Sequence, residues 1–358
     1  MTTRVGIVGA GASGAGAAYA LREADAEVTI LEKSRGVGGR AATRRKNDCR
    51  YDHGANYVKD GGERTDSLLR ELGDDGLVDV EEPVWIFGGD GEIREGDDDE
   101  AHKWTWTEGI TQLGKRLLDR TDAEVRKGTR VERIAREGSG DGTDAETWTL
   151  ADTDGETHGP FDVLLLTPPA PQTAALLEAT EWDDDRLETL TDAVSDVDYR
   201  TIRTFVLDYD FRESYPWYGA VNVDDGHEVG WLSREECKEG HVPDGESLLV
   251  AQMAPDWSAD RYDDPIEEAG ADAAELVADL LGDGRYADPE WMDDQGWRYA
   301  LPEGGADEET VRSAEDAGLF FAGDWTVGEG RVHRALWSGH DVGERIGDGA
   351  GDAAEDGN

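Results

Sequence analysis

Apolar and small residues near the N-terminus follow a pattern that predicts a strand, a helix and a second strand. The apolar run Val5–Val8 predicts a buried strand, and the small residues of Ala15–Leu21 predict a helix that can pack closely on its neighbours. Val28–Leu31 predicts the next strand. A strand–helix–strand unit of this kind is typical of an α/β fold with a parallel sheet.

Later apolar runs predict further strands of the same sheet. Phe161–Leu166 predicts a central strand that ends before Pro168, and Leu319–Phe321 predicts another buried strand with a turn at its end. A last helix is expected from His333 to Ile346.

The rest of the chain has a different pattern. Helical and strand signals are mixed between Ala170 and Trp297, which predicts a second, α+β part of the chain. Polar runs at 97–100 and 138–146 predict solvated loops, and the Gly- and Asp-rich residues 349–358 predict a disordered tail.

The charge of the chain limits its partners. There are 83 acidic residues against 35 basic ones, a net charge of −48, and the acids are spread along the whole sequence. Twelve tryptophans and the apolar runs favour a packed fold over disorder. We interpret the composition as a carboxylate-rich surface suited to molar salt, as in haloarchaeal cytoplasm, where the Debye length falls to about 3 Å. Nucleic acid and anionic membranes are therefore not expected partners.

Cysteine usage and the N-terminus favour a cytoplasmic protein. Cys49 and Cys237 are the only cysteines, so no disulfide framework is expected, and neither belongs to a CxxC pair that would indicate a metal site. The first residues contain no hydrophobic signal core, and no apolar run approaches the roughly 18 residues of a membrane span.

A glycine motif follows the first predicted strand. Residues Gly9–Gly14 read GAGASG, in which the first glycine permits a tight turn, the second lets a diphosphate approach the backbone and the third allows close packing of helix on strand. The helix N-terminus offers free N–H groups to phosphate. Glu32, at the end of the second strand, can accept hydrogen bonds from a ribose diol and would repel a 2′-phosphate, which disfavours NADP at this site.

A second glycine cluster, Gly36–Arg40, follows at once, and here the chain resembles the FAD-dependent amine oxidase superfamily. Three later segments fit the same superfamily in order: Tyr51–Tyr57, Arg130–Ile134 and Gly323–Asp324. The resemblance implies an FAD cofactor. It implies contacts to FAD from Gly9, Gly11, Ala12, Ser13, Gly14, Glu32, Lys33, Gly38, Gly39, Arg40, Gly54, Ala55, Asn56, Val131, Gly323, Asp324, Arg331 and Val332.

Within the superfamily the chain looks most like the renalase-like branch. Residues 32–40 (EKSRGVGGR) match a string that recurs there, and residues 52–57, 159–161, 167–172 and 323–325 point the same way. This resemblance implies a two-lobed fold like that of p-hydroxybenzoate hydroxylase, with a Rossmann-type FAD-binding domain and an α+β substrate domain. It also implies oxidation of mis-reduced dihydronicotinamide isomers of NAD(P)H, with oxygen or another acceptor reoxidising the flavin and oxygen giving peroxide.

The chain departs from that branch at two places. The branch usually has His-Lys/Arg-Trp-x-Tyr near the flavin, where this chain reads Gln295-Gly296-Trp297-Arg298-Tyr299. It often has a small or acidic pair at the start of the last helix, where this chain has His333 and Arg334. The implied substrate-cavity and flavin-facing positions are Trp297, Tyr299 and His333.

The resemblance divides the chain between two domains. Residues 1–58, 120–169 and 298–348 are predicted to form a discontinuous FAD-binding domain, and residues 59–119 and 170–297 a substrate domain. His53 is expected to be structural, whereas the polar surroundings of four other histidines predict exposure. These are His102, His158, His227 and His241.

Three alternatives stay open. A flavin amine oxidase usually has a lysine that holds a water at the flavin; Lys238 is the one lysine between residues 170 and 297, and its surroundings predict a loop. On that basis Lys238→Ala is expected to leave activity nearly intact. A carotenoid or porphyrinogen desaturase would need an apolar membrane-facing surface, which the sequence does not indicate. The third alternative is a non-catalytic flavin-binding protein.

Overall fold

The computed structural model of the protein describes residues 2–59, 62–73, 75–96, 101–138 and 146–355, with side chains to residue 349. The loops predicted at 97–100 and around 139–145 lie outside the described residues, as do residues 356–358 of the predicted tail. Among the described residues, no helix combines the length and the apolar character needed to cross a membrane.

The strands define the two parts of the molecule. They are β1 (Thr3–Val8), β2 (Ala26–Glu32), β3 (Thr43–Lys46), β4 (Cys49–Asp52), β5 (Val58–Lys59), β6 (Leu77–Asp79), β7 (Val84–Phe87), β8 (Lys103–Trp106), β9 (Glu124–Lys127), β10 (Val131–Gly138), β11 (Glu146–Asp152), β12 (Thr157–Phe161), β13 (Val163–Leu166), β14 (Thr180–Glu181), β15 (Tyr199–Tyr209), β16 (Gly219–Asn222), β17 (Val229–Arg234), β18 (Ser247–Met253), β19 (Trp291–Pro302) and β20 (Leu319–Phe321).

The helices connect these strands and cover their faces. They are α1 (Ala12–Ala20), α2 (Glu63–Glu71), α3 (Gln112–Leu118), α4 (Ala170–Glu178), α5 (Arg186–Ser195), α6 (Pro255–Asp260), α7 (Ile266–Leu281), α8 (Glu308–Arg312), α9 (Asp324–Val327) and α10 (Val332–Glu355). Short 3-10 helices occupy Leu21–Glu23, Glu235–Cys237, Gly284–Ala287 and Glu315–Ala317.

The first of two compact units contains residues 1–39, 113–198 and 301–358. Its main sheet is parallel, in the order β20-β13-β1-β2-β9. Strands β1, β13 and β20 are short apolar runs, as in a sheet covered on both faces, whereas the edge strand β9 is polar. Val5, Ile7, Ile30, Leu165 and Phe320 form its core. This sheet, with α1 following β1, confirms the predicted Rossmann-type fold.

Two helices of this unit, α1 and α10, approach each other at glycines. A Cβ atom on Gly339 would overlap the carbonyl oxygen of Ser13, and one on Gly16 would lie 2.5 Å from the carbonyl oxygen of Leu336. Because the two backbones touch at these positions, the first turn of α1 is fixed against the last helix of the chain.

The second unit contains residues 40–112 and 199–300. Its largest sheet has the order β19-β15-β18-β17-β16-β7. One set of alternating side chains on this sheet, including Phe205, Leu207, Leu249 and Ala251, forms a core with α7. Smaller sheets, β3-β4 and β5-β8-β6, complete the unit. The predicted second α+β part is confirmed.

The unit boundaries differ from the predicted ranges in four places, of which 113–119, in the first unit, and 298–300, in the second, are short. Residues 40–58 lie in the second unit, because Cys49 and Tyr51 pack with Val206 and Val250. Residues 170–198 lie in the first unit, where β14 pairs with β10. Which of these ranges bind the flavin and which bind the substrate stays a prediction. Helix α10 runs to Glu355, through part of the range predicted as a disordered tail.

We expect opposite effects from alanine at two glycines of α10. Gly339→Ala should lower the free energy of unfolding by about 1–3 kcal/mol, because the new methyl group overlaps the backbone of α1. Gly347→Ala should raise it by about 0.5–1 kcal/mol, because its Cβ would meet Ala24 at an ordinary 3.5 Å and alanine is the better helix former. Urea unfolding of both variants measures the two values, and equal effects would contradict the backbone contact.

Candidate functional site

The loop between β1 and α1 has the backbone that a bound diphosphate needs. Gly9 has φ of +101°, which favours glycine, and a Cβ on Gly14 would overlap the carbonyl oxygen of Gly9. A Cβ on Gly11 would meet no atom within 4 Å, so the space beside its backbone is open. Ser13, in the first turn of α1, has a buried hydroxyl with no hydrogen-bond partner among the described residues. Ala12 begins the helix.

Glu32 is fixed at the end of β2 and is only 6% exposed. One carboxylate oxygen accepts the N–H of Ala10 at 2.8 Å and the other accepts the N–H of Ser34 at 2.7 Å. Each oxygen keeps a lone pair that can accept a hydroxyl proton. The exposed neighbour, Lys33, donates to Gln172 Oε1 at 3.0 Å.

The second glycine cluster packs directly on the first. Gly38 and Gly39 both have positive φ, +103° and +58°. The N–H of Gly38 donates to the carbonyl of Ala10 at 2.8 Å, and a Cβ on Gly39 would lie 3.2 Å from the Cα of Gly11. The two motifs therefore form one glycine-lined surface in the first unit.

The C-terminal candidate residues lie at the ends of β20 and α10. The N–H of Gly323 donates to Ser338 Oγ at 3.0 Å, and the buried Asp324 begins α9. Trp325, the residue after Asp324, is fully buried and donates its indole N–H to the carbonyl of Pro168 at 3.0 Å.

The start of α10 holds the remaining candidates of this group. Arg331 is exposed, Val332 begins the helix and His333 is buried in its first turn. Arg334 pairs with Glu329 at 2.7 Å. Elsewhere in the first unit, Val131 begins β10 and is 9% exposed.

In the second unit the segment His53–Tyr57, which follows β4, is held by hydrogen bonds to its neighbours. The N–H of Ala55 donates to the carbonyl of Arg40 at 2.9 Å, and Gln252 donates to the carbonyl of Gly54 at 2.6 Å. Asn56 Oδ1 accepts from Ser233 Oγ at 3.1 Å. The segment is thereby fixed to strands β17 and β18.

Arg40 and Gly54 are also constrained by close contacts. The Arg40 guanidinium donates to the carbonyl of Ala300 at 2.9 Å. A Cβ on Gly54 would overlap the carbonyl oxygen of Arg40 and lie 3.0 Å from the ring of Trp297. Only glycine fits at this position.

Two predicted cavity residues lie on β19. Trp297 stacks on His53, with ring centroids 5.4 Å apart and an interplanar angle of 13°, and donates to the His53 carbonyl at 2.9 Å. Tyr299 packs edge-on against Tyr199 at 5.8 Å. Burial, together with the Arg44 guanidinium, lowers the pKa of His53 to about 4, so its ring is neutral at pH 7. His53 is buried, as expected for a structural histidine.

Sequence reasoning missed a group of four fully buried ionisable side chains in the second unit. We call Asp52, Glu235, Lys238 and His241 the buried quartet. Lys238 Nζ lies 3.0 Å from Asp52 Oδ2 and 2.7 Å from Glu235 Oε1, and His241 Nδ1 lies 2.9 Å from Glu235 Oε2. Lys238 lies in a loop, as predicted, directly after the 3-10 turn Glu235–Cys237, but this loop is buried and the lysine is only 1% exposed.

Two of the four histidines predicted to be exposed are buried because each faces a carboxylate. His241 is 0% exposed, and His158 is 4% exposed with its Nε2 2.8 Å from Asp152. His102 and His227 are half-buried. The spacing of Glu235 and Lys238, one 3-10 turn apart, was the one local signal of the quartet.

The carboxylate of Asp52 is saturated with donors. Its oxygens accept from Thr43 Oγ1 at 2.7 Å, Thr105 Oγ1 at 3.0 Å, the N–H of Ile110 at 2.9 Å and Lys238. Burial raises the pKa of Asp52, but Lys238, His241 and these hydrogen bonds outweigh it, so the pKa lies below its usual value. Burial likewise lowers the pKa of Lys238, but its two carboxylates outweigh this and raise the pKa.

Comparison with known proteins gives matches to two family models. A model of the NAD(P)-binding Rossmann-like domain matches residues 7–72, and a model of the flavin containing amine oxidoreductases matches residues 81–346. Protoporphyrinogen oxidase 2 of Arabidopsis thaliana is 40% identical over 70 residues, which are 20% of this chain and only 14% of that protein.

Solved structures of similar shape cover nearly the whole chain. A protein of Exiguobacterium sp. 255-15, provisionally named a protoporphyrinogen oxidase, superposes with a TM-score of 0.74 at 16% identity, covering 97% of this chain and 99% of its own. Wild-type putrescine oxidase with bound putrescine gives 0.72 at 14% identity, with the same coverage. A fatty acid isomerase of P. acnes gives 0.68 at 17% identity, covering 96% and 98%. At these identities the likeness shows the fold alone.

We expect Lys238→Met to lower the free energy of unfolding by about 3–5 kcal/mol, because it leaves two buried carboxylates without their cation. Lys46→Met is the matched control: Lys46 is exposed and, within the described part of the chain, contacts a carbonyl and a tryptophan ring, so we expect a change within about 0.5 kcal/mol. Guanidinium unfolding measures both values, and a Lys238 effect no larger than that of Lys46 would contradict the buried ion pair.

The Lys238 effect should also depend on pH. The lowered pKa of Asp52 gives stability that is complete above its unfolded value of 3.8 and is lost as the pH falls through the folded value. The raised pKa of Lys238 gives stability that is complete below 10.5 and is lost as the pH rises toward the folded value. The contribution of the pair in the wild type should therefore be flat between about pH 5 and 10 and shrink below about pH 4; in Lys238→Met burial raises the pKa of Asp52, so the difference between the two proteins should begin to shrink at a higher pH.

Proposed function

This chain belongs to the flavin containing amine oxidoreductase family, and we propose that it is a renalase-like oxidase that takes a hydride from a dihydronicotinamide isomer of NAD(P)H. The chain is an FAD-dependent oxidoreductase. When bound, FAD supplies the hydride acceptor and delivers the electrons to oxygen. The finer proposal concerns the substrate.

The residues of the first unit fit an FAD molecule. The open space beside Gly11 and the unpartnered hydroxyl of Ser13 suit the diphosphate, and the fixed carboxylate of Glu32 suits a ribose diol. We propose that Ala12, Gly38, Gly39 and Arg40 also contact FAD. Lys33, Val131, Gly323, Asp324, Arg331, Val332, Gly54, Ala55 and Asn56 are proposed as further FAD contacts.

The observation that carries the substrate proposal is the state of Lys238. Both of its carboxylate partners lie within 3.0 Å and all three side chains are fully buried, so this lysine is committed to structure and does not suit the holding of a catalytic water. A dihydropyridine loses hydride because its ring becomes aromatic, and this reaction needs no protein base. The structure therefore favours a substrate whose oxidation asks the protein only for binding and orientation.

We assign the orienting roles to residues of β19 and α10. Trp297 is fixed by its stack on His53 and its hydrogen bond to the His53 carbonyl, so it can provide a rigid wall for a planar ring. Tyr299 is proposed as a second wall. His333 lies in the first turn of α10, whose N-terminus is suited to a developing negative charge.

Glu32→Gln and Glu32→Arg test the cofactor placement. Glutamine keeps one acceptor but loses the charge-assisted hydrogen bonds, so we expect FAD affinity to fall by about 10- to 100-fold. Arginine should abolish FAD retention, because it places a cation where two backbone N–H groups point. Glu27→Gln, an exposed change on the same strand, is the control. Undiminished flavin content in Glu32→Arg would refute the placement.

The substrate is tested by anaerobic reduction of the purified holoprotein in molar KCl, the condition that we propose for its acidic surface. One sample receives NAD⁺ that has been chemically reduced to a mixture of dihydro isomers; others receive authentic NADH, simple amines including putrescine, or protoporphyrinogen. We expect rapid bleaching of the flavin absorbance by the isomer mixture alone. Bleaching by amines or protoporphyrinogen instead would replace the proposed substrate, and bleaching by none would favour a non-catalytic flavin-binding protein.

A further inference from the structure

We infer that Lys238 is a positioning residue that, through Asp52, holds the segment His53–Tyr57 in the form that contacts FAD. The inference rests on the proposed placement of Gly54, Ala55 and Asn56 beside the flavin and is independent of the substrate. Asp52 immediately precedes the segment in the chain, at the end of β4.

Asp52 is held at both its main chain and its side chain. Its N–H donates to Glu235 Oε2 at 3.1 Å, and its carboxylate accepts from Lys238. The other donors to this carboxylate come from β3, β8 and the turn before α3. Within the segment, His53, Gly54 and Asn56 are held by hydrogen bonds to neutral groups, whereas Asp52, directly before it, is held by charged ones.

The contacts of the quartet centre on Lys238. His241 Nδ1 faces Glu235 Oε2 at 2.9 Å, and its Nε2 faces the carbonyl of Trp106 at 3.0 Å. Lys238 Nζ faces the carboxylates of both Asp52 and Glu235, at 3.0 and 2.7 Å. The ammonium is therefore the cation that these two buried carboxylates share.

Lys238 acts on the segment through charge. Without the ammonium, the carboxylates of Asp52 and Glu235 would lose their shared cation in a space without solvent access. Their repulsion would act on Asp52, whose N–H is itself bonded to Glu235 Oε2, and would weaken the hold on the backbone at the start of the segment. A lysine that only filled space would have no such effect on the segment.

The experiment compares FAD affinity in variants of equal global stability. Apoproteins of Lys238→Met and Val277→Ala are titrated with FAD by fluorescence quenching. Val277 is fully buried in the α7 core and belongs to neither the quartet nor the segment, so it controls for destabilisation alone. Urea is added to the more stable variant until the folded fractions match. We expect the Kd for FAD to rise at least tenfold in Lys238→Met and to stay within twofold of wild type in Val277→Ala.

The double variant Asp52→Asn with Lys238→Met keeps the test valid if the single variant folds poorly. An asparagine Oδ1 can still accept from Thr43 and Ile110, and its Nδ2 can donate to Thr105, while one of the two buried carboxylates is removed together with their cation. We expect most of the lost FAD affinity to return. Amide hydrogen exchange should be faster in residues 53–57 of Lys238→Met and near wild type in the double variant.

Two results would overturn the inference, and they are distinguishable. Equal Kd values for Lys238→Met and Val277→Ala, with unchanged exchange in residues 53–57, would show that Lys238 is merely structural. Gly54→Ala tests the underlying placement, because a Cβ there overlaps the Arg40 carbonyl. If Gly54→Ala binds FAD as tightly as wild type, the segment does not contact the flavin, and the placement fails together with the inference.

Discussion

The ion pairs of the buried quartet are the interaction on which the second unit depends. Lys238, Asp52 and Glu235 have no access to water, so their charges must be compensated within the protein or not carried at all. An apolar core of the same volume would be at least as stable in many proteins. Unlike apolar contacts, hydrogen bonds and ion pairs have a preferred direction. Here four donors point at the carboxylate of Asp52 and hold this residue in place.

Directional hydrogen bonds also hold the candidate cofactor contacts that follow Asp52. Asp52 fixes the start of the segment, and Gln252 and Ser233 fix Gly54 and Asn56 to the large sheet. The other face of this sheet is apolar and packs on α7, so the strands cannot shift to follow a movement of the segment. The rigid core thus serves as the base on which polar residues of the opposite face hold a non-regular stretch of chain.

The first unit achieves rigidity in a different way, by backbone contact. Gly14 lies against Gly9, Gly39 against Gly11, and Gly339 against Ser13, so the loop that we assign to the diphosphate is held on three sides by main chain. Side chains can change rotamer, but main-chain contacts of this kind move only with their whole element. Glu32 adds one hydrogen bond to the same loop, from the N–H of Ala10, and one to the turn that follows β2, from the N–H of Ser34.

This difference explains how much could be predicted from the sequence. Gly9, Gly11, Gly14 and Glu32 act through local spacing, so the motif predicted both the Rossmann-type unit and the place of each residue in it. The α+β nature of the second part was also predictable, from its mixed periodicity. The quartet joins residues more than 180 positions apart, and nothing near Lys238 except Glu235 indicates burial. A lysine next to glutamates in an acidic chain is typical of a surface, and only the tertiary contacts reverse that interpretation.

The net charge of −48 makes the quartet more informative than it would be in an ordinary protein. Lysine is scarce in this chain, and the exposed surface offers many carboxylates with which a lysine could pair in water at little cost. Lys238 is instead placed where desolvation is most expensive, against two carboxylates that are themselves buried. Salt would screen the surface charges but not these, so in a saline medium the quartet keeps its strength while surface ion pairs lose theirs. The ion pairs that salt does not weaken therefore lie in the interior, next to the segment that we assign to the flavin.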